Sequence, residues 1–144
     1  MKQSKRVKAF KNELRAYEFN LSRIEALQSL IDICYSHLPG SVHGLDPSKI
    51  PMNPAPNKDL EYRIRNEIDR HERNKALTEA KVKYCDDILI QMETELRHAV
   101  KRIYIHGDTM ESVARKMYLS TNALQNRINR EMERVLNEQD ETAL

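Results

Sequence analysis

Tryptophan is absent from this 144-residue chain, phenylalanine occurs twice, and glycine only three times. The five prolines (39, 47, 51, 54 and 56) are confined to eighteen consecutive residues. Breakers this few and this clustered leave the rest of the chain free to be helical, and Leu, Ile, Val and Met recur at helical spacing. The expected class is all-α. Only two cysteines are present, Cys34 and Cys85, with no CxxC spacing, so neither a disulfide framework nor a thiolate metal site is indicated and a reduced compartment is expected. No apolar run approaches a membrane span, and the basic start is not followed by a signal-peptide core. A cytoplasmic protein without membrane contact is expected.

The motifs of common catalytic and cofactor sites are also missing. There is no phosphate-cradling glycine loop, HExxH, EF-hand loop or paired CxxC. Asp86 and Asp87 beside Cys85 form the densest reactive cluster, yet neighbouring helical residues point about 100° apart and do not converge on one site. His37 and His43 lack a third metal ligand, and His98 and His106 lack a suitably spaced acid or thiol. Neither catalysis, metal nor cofactor is expected.

What is present is charge and helical period. Charged residues make up 32% and mean hydropathy is −0.74, which suits long half-exposed helices better than one large core. Net charge is only +2, but residues 1–11 hold five basic groups and no acid. That basic end suits either phosphate contact or simple solvation.

Residues 1–38 read as one heptad-patterned helix, with Val7, Phe10, Leu14, Tyr17, Leu21, Ile24, Ile31, Tyr35 and Leu38 at a and d positions and Gln28 as the polar exception. Such a stripe serves helix packing within the chain or a coiled-coil seam between two copies. Residues 39–57 are a Pro-rich linker that no helix crosses. Residues 58–91 form a long charged helix, its eight basic groups balanced by eight acidic ones. Its polar middle, Asp69 to Lys75, implies incomplete pairing or a kink. The two long helices together suggest a helical hairpin or a coiled-coil arm.

Residues 92–136 carry the clearest signal. A helix bearing Leu96, Ala99, Val100, Ile103 and Tyr104 starts near Thr94 and ends at His106-Gly107, where glycine can take the left-handed conformation of helix ends. Asp108 or Thr109 caps the next helix, whose Met110, Val113, Ala114 and Met117 point inward. Tyr118-Leu119-Ser120 is a turn, with Ser120 capping the last helix. There Leu124, Ile128, Met132, Val135 and Leu136 form the core side. Asn122, Asn126, Asn129, Arg130 and Glu133 fall on the opposite face, flanked by Gln125 and Arg127.

Asn and Gln can pair bidentately with adenine edges in the major groove. Arg115, Lys116, Arg127 and Arg130 can reach phosphate or guanine, and Ser120 and Thr121 suit phosphate contact at a helix N-terminus. The expected DNA-contacting set is therefore Arg115, Lys116, Ser120, Thr121, Asn122, Gln125, Asn126, Arg127, Asn129 and Arg130. Asn122, Gln125 and Asn126 lead it, because reading residues concentrate near the start of such a helix. Residues 137–144 read as an acidic tail.

The stretch GDTMESVARKMYLSTNALQNRINREMERVL resembles the fourth region of bacterial sigma factors, at Gly107, Thr109, Glu111, Val113, Ala114, Ser120, Leu124, Arg127, Ile128 and Arg130. Tyr104 fits the end of the preceding helix. Tyr118 departs from the pattern, standing where that family often has glycine. The layout of long N-terminal helices, Pro-rich segment and C-terminal sigma-like module is similar to small phage regulators of the ArpU/RinA type, which activate late genes in phages of Gram-positive bacteria. The resemblance implies a sequence-specific transcription regulator acting on double-stranded DNA in a bacterial host cell. The N-terminal helices would then contact host RNA polymerase or, as the heptad stripe allows, form a homodimer through the N-terminal helix. A small terminase subunit binding packaging-site DNA, and an adaptor docking on polymerase without DNA, are the alternatives.

Overall fold

The computed structural model describes residues 4–38 and 58–142. The Pro-rich segment, residues 39–57, lies outside them. Among the described residues every regular element is helical: α1 Lys5–Arg15, α2 Tyr17–Ser36, α3 Lys58–Gln91, α4 Thr94–Val100 continued by a π-helical turn Lys101–Ile105, α5 Met110–Lys116 and α6 Thr121–Thr142. The expected all-α class is what is observed, and none of these helices is long and apolar enough to cross a membrane.

Two compact units divide the chain: residues 1–20 with 80–144, and residues 21–79. The first holds most of the core. From α1, Val7, Phe10 and Leu14 are buried with Cys85, Ile88 and Leu89 of α3, Leu96, Ala99 and Val100 of α4, and Leu124, Ile128, Met132, Val135 and Leu136 of α6. The α1 helix packs on α6 and on the π-helical turn.

Polar groups fix that docking. The Ser4 hydroxyl caps α1 by accepting from the Val7 N–H and donates to Glu133 Oε2 at 2.6 Å. The Arg6 guanidinium donates to the Leu136 carbonyl and to Asn137 Oδ1, and pairs with Asp140 at 2.8 Å. Phe10 meets Tyr84 edge-on, and the Tyr17 hydroxyl donates to Asp86.

Two expectations need correction here, and one left open is decided. The N-terminal heptad stretch is two helices, interrupted at Ala16, rather than one. Its first three stripe residues are consumed inside the chain, because α6 offers them an apolar surface. The acidic tail is not a separate segment: α6 runs on to Thr142, and Asp140 serves as the partner of Arg6. The charged helix spans the expected residues 58–91, and it does so unbroken.

In the second unit α2 and α3 run antiparallel. The Cys34 thiol approaches Glu67 and, six residues earlier on α2, Gln28 Oε1 accepts from Lys75, so partners retreat along one helix as they advance along the other. Leu27, Ile31 and Ile68 are buried between them. The polar middle of α3 is accommodated without a break because Gln28, the polar member of the α2 stripe, receives Lys75.

Candidate nucleic-acid interface

The helix-turn-helix is built from its caps inward. Thr109, with extended backbone, caps α5 by accepting from the Ser112 N–H at 3.1 Å. Ser120 caps α6 in the same way, its Oγ accepting from the Ala123 N–H at 3.1 Å. Each satisfies one of the N–H groups that a helix start leaves unpaired. Between them the chain reverses at Tyr118, whose φ is +59°.

The Leu119 N–H donates to the Ala114 carbonyl at 2.9 Å and the Tyr118 N–H to the Arg115 carbonyl at 3.2 Å. That pair of bonds closes a Schellman motif with Tyr118 in the left-handed position. The side chain that departs from the sigma-like pattern therefore occupies the conformation that glycine fills without strain, and it is 96% exposed. Left-handed backbone costs a residue with a Cβ about 1–2 kcal/mol, and glycine's extra unfolded freedom takes back about 0.5–1 kcal/mol. Tyr118→Gly should raise the unfolding free energy by about 0.5 kcal/mol. A clear drop in denaturant midpoint would show that the tyrosine ring contributes to folding.

Inward residues are placed as their spacing indicates. Val113 and Ala114 are buried, Met110, Met117 and Leu119 pack at the edge of the core, and the apolar face of α6 is fully enclosed. Ala114, 1% exposed, is the small residue of α5 packed in the core toward α6. At the other end of the module Gly107 adopts φ +82° after the π-helical turn, as its position at a helix end requires.

The expected contact residues do not all share one surface. Ser120, Thr121, Asn122 and Gln125 are exposed and Asn126 is half-buried, all on the first two turns of α6 or at its cap. Arg115 and Lys116 are exposed on α5, Arg115 paired with Glu111 at 3.3 Å. Both members of that pair lie open to solvent, so it constrains the arginine little.

Arg127, half-buried, and exposed Arg130 line a groove of about 240 Å³ with Glu93, Leu96, Glu131 and Arg134, beside α4. Asn129 is a correction. It is 8% exposed, and its Oδ1 accepts from the Lys11 ammonium at 2.5 Å. Glu133, expected on the same outer face, is half-buried and holds Ser4. The outer face of α6 thus ends at its third turn, because α1 covers the turns beyond it.

Lys11 is the functional-looking residue that its place in a basic N-terminal run conceals. It is 3% exposed and its Nζ stands 5.4 Å from the centroid of the Tyr104 ring, with the Arg15 guanidinium at the same distance. Burial, with the neighbouring Arg15 charge, brings its pKa down from 10.5 to about 8. Its only sequence signal is its place between Phe10 and Leu14, one residue from the buried stripe.

No family model, curated protein or solved structure matches this chain.

Proposed function

We propose that the chain is a sequence-specific DNA-binding regulator that lays the start of α6 in the major groove. One observation carries this reading. A capped α5, a tight turn and a capped α6 leave Thr121, Asn122 and Gln125 exposed at the leading end of a helix whose apolar face is buried. Amide side chains there suit adenine edges, and Arg115, Lys116 and Arg130 suit phosphates. Phage late-gene regulation and contact with host RNA polymerase are part of the same proposal and rest on the sigma-like stretch and the layout of the chain. A homodimer through the N-terminal stretch would use α2, where Leu30 and Ile33 are exposed, since the α1 stripe is occupied. Two copies would call for a two-part DNA site.

The test is selection of bound duplexes from a random pool, followed by affinity measurement at two salt concentrations. We expect an enriched site and an affinity that falls steeply with salt. Gln125→Ala and Asn126→Ala should relax base preference, costing about 1–3 kcal/mol on the selected site and little on others. Arg130→Ala should weaken all duplexes alike and lower the salt slope by about 1. A pool with no enrichment, and affinity indifferent to salt, would leave the non-DNA adaptor as the better account. A closed ring of many subunits by mass measurement would favour the packaging protein instead.

A further inference from the structure

On the surface formed by α4 and the π-helical turn, His98, Lys101, Arg102 and His106 line a cleft of about 410 Å³ together with Asp108. An uninterrupted α-helix would spread them over a wide face, with His106 at its margin. His98, Lys101 and Arg102 share a face at i, i+3 and i+4, but on 3.6-residue turns the position in line with them is Ile105. The π-helical turn inserts one extra residue, marked by the His106 N–H donating to the Lys101 carbonyl at 3.0 Å. That insertion turns Ile105 toward the core and brings His106 into the basic row. Single π-turns recur at functional sites for this reason: they redirect a side chain at the cost of a less regular helix.

The groups in the cleft are held at their edges. Arg102 pairs with Asp108 at 3.6 Å, and His106 Nδ1 faces Glu18 at 3.4 Å. One planar guanidinium, one ammonium and two imidazoles thus line a concave surface, with Asp108 among them and Glu18 at its edge. A tetrahedral oxyanion takes donors from several directions at once, and charge-assisted bonds to it are the strong ones.

We propose that this cleft binds a phosphate group. Two sources fit the chemistry: a backbone phosphodiester of DNA, and a free phosphate-bearing compound. The assignment rests on the cleft alone and does not depend on α6 reading DNA.

The experiment tracks the imidazole signals of His98 and His106 by NMR in the full chain. Inorganic phosphate, a random-sequence duplex and an acidic peptide are added in separate titrations. Phosphate should move both signals saturably. The Lys101→Ala/Arg102→Ala double variant, altered only at exposed positions, should weaken that response at least about tenfold. Asp108→Asn should strengthen it several-fold by removing the carboxylate that lines the cleft. If the duplex moves the same signals together with the Asn122 and Gln125 amides, the phosphate comes from DNA backbone. If phosphate saturates the cleft and the duplex changes nothing, the cleft serves a free phosphate compound and the reading of α6 fails instead. Unmoved imidazoles with both phosphate and duplex, an unaltered response in the double variant, or a response to acidic peptide alone would overturn the proposal.

Discussion

Leu14→Ala should lower the unfolding free energy by about 2–5 kcal/mol, the cost of removing a fully buried leucine from a core that cannot collapse around the gap. Leu14 has no exposed surface and lies with the apolar residues of α4 and α6. What distinguishes this outcome is its dependence on protein concentration. A seam residue between two copies would lose more as the chain is diluted, since association would be what it stabilises. Leu14 stabilises the docking of α1 on the same chain's own α6, so the decrement should be equal at low and high concentration. Chemical denaturation of wild type and variant over a hundredfold concentration range measures it. A decrement that grows on dilution would restore the intermolecular seam.

Lys11→Met should remove a rise in stability that wild type shows in mild alkali. The Lys11 pKa is about 8 in the fold against an ordinary 10.5, so the folded chain binds this proton less tightly than the unfolded one. Below pH 8 the full penalty of burying the ammonium is present. It is relieved as pH rises from about 8 to 10.5, and the gap between the two values corresponds to about 3 kcal/mol. Cys85 acts in the opposite sense. Burial pushes its thiol up to about 12, so the fold holds that proton more tightly and loses stability as pH passes the ordinary thiol range. Burial and the Asp86 carboxylate likewise raise Tyr17 to about 12, adding a loss above pH 10.

The decisive quantity is therefore the difference between wild type and Lys11→Met, in which the cysteine and tyrosine contributions cancel. Near pH 7 the variant is spared the burial of a charge, although Asn129 loses its donor, at a cost of about 1 kcal/mol. That cost is constant with pH. The difference should shift in favour of wild type by about 3 kcal/mol between pH 8 and 10.5. A difference that stays flat across this window would mean that the ammonium is not desolvated.

Much of the helix-turn-helix is legible in the sequence because its determinants are local. Thr109 and Ser120 cap helices through their own side chains, and the apolar residues of α5 and α6 recur at a spacing that allows one inward face. Gly107 and Tyr118 mark reversals wherever the module is placed, since helix ends call for a left-handed residue. Local patterns do not reveal which parts of the outer surface stay free. A helical wheel assigns Asn129 and Glu133 to solvent correctly for an isolated α6 and wrongly for this chain. Their partners, Lys11 and Ser4, come from more than a hundred positions upstream. The same limit applies to His98 and His106, eight residues apart, which the extra residue in one helical turn brings closer into line.

Period, caps and breakers act over one or two turns and need no partner to take effect. They were enough to establish that the chain is helical, where the long helix from Lys58 to Gln91 runs, and which residues of α5 and α6 face inward. It took the assembled fold to divide the N-terminal apolar stripe at Ala16 and to lay its first half over α6. The same packing makes Lys11 a buried cation rather than part of a basic tail. An apolar stripe states that a surface must be covered, and burial is non-directional, so it does not say by what. The choice was made by α6, which offers apolar residues to Val7, Phe10 and Leu14, and hydrogen-bond partners to Ser4, Arg6 and Lys11.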